Sequence, residues 1–137
     1  MTEQNQIYKC EICGNIVELL HSGVGQLVCC SQTMKLINEK TKDEGLEKHV
    51  PVVEELPDDI CRCEDGIKIK VGEVEHPMED GHYIEWIEII IANNKRSKKF
   101  LKPEDKPEEK FYTRKKIIGA RAYCNIHGLW TMTIIDQ

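Results

Sequence analysis

Ile67-Lys68-Ile69-Lys70-Val71 alternates apolar and basic side chains without exception. Because successive side chains of a β-strand point to opposite faces, this alternation predicts a strand with one buried face and with lysines directed to water. From Leu46 onward, similar short runs are separated by Pro, Gly, Asp and Asn, and no long segment has helical periodicity. We therefore expect an all-β fold, a β-sandwich, over residues 46–137. The predicted strands are 50–55, 67–71, 83–92, 111–114, 117–124 and 129–135.

Residues 1–37 form a separate small part of the chain, organised by four cysteines. The motif Cys10-Glu11-Ile12-Cys13 is followed, after fifteen intervening residues, by the adjacent pair Cys29-Cys30. A segment this short cannot bury enough apolar surface to fold alone, and four thiolates on one metal ion would supply the missing stability. Four thiolates bind zinc or iron, so a structural zinc staple and an iron centre both remain open. The polar residues 38–45 are predicted to be a linker.

Composition limits the classes of function. The chain has 137 residues, a hydrophobic share of 40% and a net charge of −5. This length favours one domain or two small ones, and the acidity argues against a general nucleic-acid-binding protein, whose binding surface is basic. The N-terminus lacks the pattern of a signal peptide and the apolar runs are too short to span a bilayer, so we expect a cytoplasmic protein without membrane contact. Seven cysteines in such a chain favour metal ligands or redox thiols over disulfides.

A second metal site is predicted from histidines and a C-terminal cysteine. Cys124-Asn125-Ile126-His127 places a thiolate and an imidazole three residues apart, so both can bind one ion from a single turn. His76 and His82 lie at the two ends of a loop marked by proline and glycine, and His49 precedes a predicted strand. A lone histidine is more often a surface residue than a ligand, which is the simpler interpretation of His21. Four imidazoles and one thiolate exceed the four ligands usual for zinc and suit iron with one position left open for a substrate.

These motifs together resemble the desulfoferrodoxins, the two-iron superoxide reductases. The resemblance spans nearly the whole chain and is carried by Cys10-x-x-Cys13 with Cys29-Cys30, by Glu47-Lys48-His49, by His76-Pro77-Met78 with His82, and by Cys124-Asn125-Ile126-His127. It implies a desulforedoxin-like N-terminal domain, an immunoglobulin-like β-sandwich and two iron ions per chain. The implied ligands are Cys10, Cys13, Cys29 and Cys30 for the first iron, and His49, His76, His82 and His127, with Cys124 as the axial thiolate, for the second.

The resemblance also implies an activity. One electron and two protons would convert superoxide to hydrogen peroxide at a ferrous centre, without production of oxygen, and the family usually forms homodimers. In such proteins the residue matching Lys48 attracts superoxide and helps to protonate the product, and the residue matching Glu47 closes the open position in the oxidised resting state. A lysine beside His49 is also suited to steer an anion toward a protein of negative net charge, although most lysines are simply solvated.

Two stretches lie outside the family pattern. Cys61-Arg62-Cys63 lies in a polar loop and is interpreted as a pair of exposed bystander thiols. Between Lys95 and Lys116, ten basic residues are mixed with acidic ones, which is typical of a solvated loop face but could also dock an acidic electron carrier such as rubredoxin. Met78 is interpreted as a loop-packing residue rather than a ligand.

Two other functions remain open, a non-catalytic iron electron-transfer protein and a superoxide dismutase, which would evolve oxygen.

Overall fold

Strands dominate both parts of this chain. The computed structural model describes residues 1–41, 49–55, 65–113 and 115–134, and its regular structure is β-strand apart from one short 3₁₀ turn. The chain divides into two compact units, Met1–Asn38 and Glu39–Gln137. Within the described ranges, no helix is long and apolar enough to cross a membrane. The predicted all-β fold class is confirmed.

The N-terminal unit contains five short strands. They are β1 (Ile7–Lys9), β2 (Ile16–Glu18), β3 (Val28–Cys29), β4 (Gln32–Thr33) and β5 (Lys35–Ile37). Strand β1 lies between β2 and β5 in an antiparallel sheet, and β3 pairs with β4 as a separate hairpin. The buried apolar side chains of this unit are Ile7, Cys10 and Met34. So small a core requires a further source of stability.

The turn between β3 and β4 has an unusual backbone. Its two residues, Cys30 and Ser31, have φ angles of 52° and 60°. Two successive residues with positive φ are the signature of the type I′ turn, whose twist matches that of the flanking strands and which favours Asn and Gly. A cysteine and a serine occupy this conformation at a cost of about 1–2 kcal/mol each. The turn places the Cys29 and Cys30 side chains on neighbouring positions of one bend.

The C-terminal unit contains two sheets. Its strands are β6 (Glu39–Lys40), β7 (Pro51–Glu55), β8 (Asp65–Val71), β9 (Ile84–Ile91), β10 (Lys95–Phe100), β11 (Glu108–Thr113), β12 (Ile117–Cys124) and β13 (Gly128–Thr133). The five-stranded sheet has the order β10-β9-β12-β13-β6, and the three-stranded sheet has the order β11-β8-β7. Strands β13 and β6 are parallel, and the other neighbours are antiparallel.

The inward faces of these two sheets enclose one hydrophobic core. Ile69 and Val71 of β8 contribute to the core from the smaller sheet and are at most 1% exposed, while β9 and β12 contribute from the larger sheet. Lys68 and Lys70 lie on the other face of β8 and form ion pairs with Glu54 of β7. The strict alternation of the β8 sequence therefore corresponds to one core face and one charged face, and the two layers form a β-sandwich.

The opposite face of the five-stranded sheet carries a buried ion pair. Arg121 Nε donates a hydrogen bond to Glu88 Oε1 at 2.6 Å, and both side chains are 1% exposed. Arg96 and Lys98 of β10 also pair with Glu88, and Arg121 reaches Glu39 of β6 at 2.9 Å. Burial opposes the charge of Arg121, but Glu88 outweighs it and leaves the pKa of the guanidinium raised. This group of charged side chains therefore connects four strands of one sheet, β6, β9, β10 and β12.

Each of the six strands predicted for the sandwich is present, with some different ends. Strand β12 has the predicted bounds, 117–124. Strand β11 begins at Glu108 rather than at residue 111, because its first two residues complete the antiparallel pairing with Lys70 and Ile69 of β8. The predicted strand residues 114 and 135 lie outside the described part of the chain.

Two expectations about polar stretches were wrong. The mixed-charge run from Lys95 to Lys116 is not a loop face throughout, because it contains all of β10 and β11. Strand β10 is an edge strand, and edge strands are often rich in lysine because charge discourages pairing with another chain.

Within the predicted linker 38–45, Glu39 and Lys40 form β6 and pair with β13. Their polar sequence did not reveal this pairing, because only two residues take part.

Candidate metal centres

The hairpin of β12 and β13 positions two of the predicted ligands. Cys124 is the last residue of β12 and pairs with Gly128, the first residue of β13, so the three residues between them form the turn. Gly128 has a φ of 93°, a conformation that other residues rarely adopt and that closes three-residue hairpin loops. The short turn brings His127 Nδ1 to 3.8 Å from Cys124 Sγ. The local Cys-x-x-His motif therefore forms one compact pair of donors.

The loop between β8 and β9 carries His76 and His82. The backbones of Glu79 and His82 exchange two hydrogen bonds of 2.9 and 3.0 Å, which fold the loop back on itself. His76 Nδ1 lies 2.7 Å from the carbonyl oxygen of Pro77, which can only accept, so Nδ1 carries the proton and Nε2 keeps its lone pair for a metal. Met78 is partly buried against the core and its sulfur accepts the Ile84 N–H, so it packs as predicted.

Asn125 connects that loop to the turn of the β12–β13 hairpin. Its side-chain amide donates to the Gly81 carbonyl at 3.1 Å, its side-chain oxygen accepts the Tyr83 N–H at 2.9 Å, and its backbone N–H donates to the Tyr83 carbonyl at 3.2 Å. These bonds bracket His82 on both sides along the chain. Asn125 was not predicted to belong to the site. Its position in the sequence between two ligands, Cys124 and His127, was the signal that could have indicated it.

His49 lies just before β7 and packs against an aromatic side chain. Its ring stacks on Trp130 of β13 at 4.6 Å between centroids, with an angle of 11° between the planes. Lys40 of β6 donates to the His127 carbonyl at 2.9 Å, and its ammonium lies 5.0 Å from the centre of the Trp130 ring. Neither Trp130 nor Lys40 was predicted to lie beside the site, because both contacts join residues that are far apart in the sequence.

The four imidazoles form a ring. Neighbouring rings meet edge to face, with centroids 4.5–5.0 Å apart, in the cyclic order His49, His76, His82, His127 and back to His49. One donor atom from each imidazole and the sulfur of Cys124 all lie within 4.8 Å of one another. Donors on opposite sides of one metal ion lie about 4–4.6 Å apart, twice the length of a metal–nitrogen or metal–sulfur bond. The five groups therefore fit a single ion.

Burial is uneven around this five-donor site. Cys124 is fully buried and His49 and His76 are 2% exposed, whereas His82 and His127 are only partly buried. The His127 backbone N–H lies 3.5 Å from Cys124 Sγ and donates to it, which favours the thiolate form of the sulfur. A buried thiolate needs a cation in its vicinity, since an isolated buried charge is strongly unfavourable. The donor set thus fits a metal ion better than it fits a metal-free core.

The four cysteines of the N-terminal unit form a second group of donors. Their sulfurs also lie within 4.8 Å of one another, with Cys13 and Cys29 at 3.6 Å and Cys29 and Cys30 at 4.0 Å. Sulfur ligands at the corners of a tetrahedron around one ion are about 3.8 Å apart. None of the five cysteines in the described ranges is in a disulfide. The four-cysteine site matches the geometry of a tetrahedral thiolate centre.

The thiols of this site differ in their affinity for protons. The backbone N–H of Cys13 is the main cause that lowers the pKa of the Cys10 thiol to about 6. Contacts with Cys13 and Cys10 raise the pKa of the Cys30 thiol to about 12. Four sulfurs so close together do not all ionise near neutral pH without a cation among them, and a bound metal ion removes this obstacle.

The structure brings together all nine predicted metal ligands, in two groups of five and four. The remaining predicted site residues, Glu47 and Lys48, lie outside the described residues, as do Cys61 and Cys63. Their roles stay predictions.

Comparison with known proteins places the whole chain in one family. The family model of desulfoferrodoxin matches residues 41–133, and the model of the desulfoferrodoxin N-terminal domain matches residues 2–37. A desulfoferrodoxin homolog of Archaeoglobus fulgidus is 55% identical over 130 residues, which cover 95% of this chain and 98% of the homolog. The desulfoferrodoxin of Syntrophotalea carbinolica is 52% identical, with coverage of 96% and 98%.

Solved structures agree with this assignment. The crystal structure of the superoxide reductase from Treponema pallidum matches with a TM-score of 0.72 and 27% identity, and the match covers 93% of this chain and 97% of that one. A mutant superoxide reductase (neelaredoxin) of Archaeoglobus fulgidus, in the reduced form, matches with a TM-score of 0.56 and 26% identity, and the match covers 70% of this chain and 95% of that one. From its two metal-binding units and these matches over nearly its full length, the chain belongs to the desulfoferrodoxin family.

Proposed function

We propose that this protein is a superoxide reductase, which reduces superoxide to hydrogen peroxide by one electron without producing oxygen. The observation that carries the proposal is the group of four imidazoles and one thiolate within 4.8 Å of one another. Structural neighbours of the chain are superoxide reductases, and two of them cover 93% and 70% of it. Desulfoferrodoxins have one iron centre with four cysteines and another with four histidines and a cysteine, and this chain has both donor sets.

The donor set determines the chemistry of the second centre. His49, His76, His82, His127 and Cys124 would hold the iron, which would supply the one electron needed, with two protons, to convert superoxide to hydrogen peroxide. The four imidazoles form a ring, and Cys124 would be the fifth ligand of the iron. Five protein donors would leave room for a small anion as a further ligand, whereas the four cysteines of the first centre would complete a tetrahedral site.

The route of the substrate follows from burial. Cys124 is enclosed in the hydrophobic core, so superoxide would approach from the side of the imidazole ring opposite Cys124. Lys48 and Glu47 directly precede His49 in the sequence, which keeps both within reach of the site. We assign to Lys48 the attraction of superoxide and the delivery of protons through water, and to Glu47 the closure of the open position in the oxidised resting state.

An acidic one-electron carrier such as rubredoxin is proposed to reduce the protein. Several lysines between Lys95 and Lys116 are exposed, among them Lys99 and Lys110, and complementary charge speeds the encounter of two proteins. We also propose that the protein is a cytoplasmic homodimer, as family membership suggests. The division into a domain of residues 1–37 and a domain of residues 46–137 stays a proposal, supported by the separate family matches at 2–37 and 41–133.

One experiment tests the proposed function. The protein is purified without oxygen, its iron is counted, and the reduced form is mixed with superoxide while hydrogen peroxide and oxygen are both measured. A superoxide reductase supplied with electrons forms one peroxide for each superoxide consumed and no oxygen. Oxygen evolution at half the rate of superoxide loss would identify a dismutase instead. Colourless protein that contains zinc and does not react would identify a metal-binding protein without catalytic activity.

Two matched variants distinguish the contributions of the two centres to superoxide reduction in the same experiment. Cys124→Ser removes the thiolate of the five-donor site, whereas Cys13→Ser removes a ligand of the four-cysteine site. The proposal requires loss of superoxide reduction in the first variant and its retention in the second. Equal activity of the two variants would contradict the assignment of the reaction to the sandwich.

A further inference from the structure

The five-donor site is assembled from three separate pieces of chain. His49 precedes β7, His76 and His82 lie in the loop between β8 and β9, and Cys124 with His127 lies in the β12–β13 hairpin. The hairpin is held by the ladder between its two strands. Among the described residues, the loop has only the bridge between Glu79 and His82 and one backbone bond to the hairpin turn, from Asn125 N–H to the Tyr83 carbonyl. Something else has to fix the loop relative to the hairpin if His82 is to meet the other donors.

The side chain of Asn125 spans this gap. Its amide group donates to the carbonyl of the residue before His82 at 3.1 Å and accepts the N–H of the residue after His82 at 2.9 Å. Asn125 is itself between Cys124 and His127, so one side chain links three of the five donors. The two bonds use opposite ends of the amide, which an aspartate or an alanine does not reproduce.

The topology makes this contact specific to one end of the sheet. Strand β12 ends at Cys124, which pairs with Ile84 at the start of β9, so the loop that leads into β9 passes beside the turn that leaves β12. The register between these strands shifts just before this point, between Tyr123 and Cys124. The register shift interrupts the regular ladder at this point. One backbone bond remains, from Asn125 N–H to the Tyr83 carbonyl, and the Asn125 side chain adds two more.

We propose that Asn125 is a positioning residue of the iron site, which holds the His82 imidazole in place relative to Cys124 and His127. It contacts the backbone on both sides of a ligand and does not itself donate to the metal. Groups that orient ligands from outside typically account for 10–100-fold in metal affinity. This inference rests on the proposed iron site but not on the reaction with superoxide.

The test measures iron release from the intact two-centre protein. Wild type, Asn125→Ala and Asn125→Asp are loaded with iron and exposed to a chelator, and loss of iron from each centre is followed by its own visible absorption. We expect both variants to lose iron from the five-donor site about 10–100-fold faster than wild type, with a shifted thiolate absorption band. Aspartate has nearly the same size as asparagine and keeps the acceptor for Tyr83 N–H, so it preserves packing while it removes the bond to Gly81.

Two internal controls accompany this measurement. The four-cysteine centre of the same chain reports on general damage, and Asn94→Ala removes an asparagine side chain that bonds Arg96 at the far end of β9. Iron release from the four-cysteine centre should be the same in all variants. Asn94→Ala should release iron from the five-donor site at the wild-type rate. If Asn125→Asp folds and releases iron at the wild-type rate with an unshifted band, the proposal is wrong, even if its melting temperature falls. If wild type binds iron tightly but does not reduce superoxide, the proposed function fails while the role of Asn125 stands.

Discussion

The two metal centres of this chain stand in opposite relations to the fold around them. The N-terminal unit has a buried apolar set of three residues, one of which, Cys10, is itself a metal donor. The sandwich has a continuous core between two sheets, and its donors lie where loops and a hairpin turn meet at one end. In the small unit, the metal substitutes for a core. In the large unit, the core exists independently and supports the metal site.

The largest effect should follow from removal of the first metal. Cys13→Ser leaves three sulfurs, so we expect iron to fall from two to one per chain and residues 1–38 to lose their ordered structure. Structural metal sites of this kind contribute roughly 10 kcal/mol to folding, far more than so small a core supplies. Hydrogen exchange of the β1 amides measures the loss. Cys124→Ser is the matched control, since it should empty the other site while amides of β9 and β12 stay protected. Equal loss of protection in both units would abolish the contrast.

The sandwich should instead depend on its buried charges. Arg121→Met leaves Glu88 buried beside fewer cations, and breaking such a pair typically costs about 3–5 kcal/mol. Urea unfolding of the iron-free protein measures this cost, since the metal should not be needed for it. Arg96→Met is the control, because that side chain is 21% exposed and Arg121 remains to neutralise Glu88. A similar loss for both variants would show that burial does not distinguish them.

A smaller effect concerns access of an anion to the second centre. Lys48→Ile should slow the reaction of the reduced protein with superoxide about tenfold and flatten its dependence on ionic strength, because electrostatic steering is screened by salt. Stopped-flow mixing at several salt concentrations measures both quantities. Lys106→Ile changes the net charge equally at an exposed position and should have little effect. An unchanged rate and salt slope in Lys48→Ile would remove Lys48 from the mechanism.

The smallest effect concerns the turn between β3 and β4, which contains Cys30 and Ser31. Ser31→Gly should stabilise the metal-loaded N-terminal unit by about 0.5–1 kcal/mol, because glycine adopts the φ of 60° found there without strain but loses more chain entropy on folding. Slower release of metal to a chelator reports the gain. Ser22→Gly, at an exposed position without positive φ, should give no gain. A slower release in both variants would point to a general effect of glycine rather than to the turn.

The sequence predicted what depends on local pattern. Strand β8 follows from the alternation of isoleucine and lysine, and β12 was predicted with its observed ends. The nine donors were found because histidine and cysteine are scarce and their spacing is informative. The all-β class and the desulfoferrodoxin family were likewise confirmed. These features share one property, since each is encoded by residues close together in the chain or by rare residue types.

What the sequence did not predict depends on contacts between distant residues. Strand β10 contains four basic residues, and its charges are compensated by Glu88 on the neighbouring strand, which no local pattern reveals. The position of Lys40 beside Trp130 results from a two-residue parallel pairing. The contacts of Asn125 were not predicted. Its partners, Gly81 and Tyr83, are more than forty residues away in the sequence.

The burial of Cys124 has a consequence for the speed of electron transfer. Its side chain is fully buried and belongs to the hydrophobic core of the sandwich, at the end of a central strand. A sulfur held in a close-packed interior has little freedom to move when the charge of a neighbouring ion changes. The movement of this sulfur would then contribute little to the reorganisation energy of each gain or loss of an electron. The same packing that stabilises the sandwich thereby prepares its metal site to change oxidation state quickly.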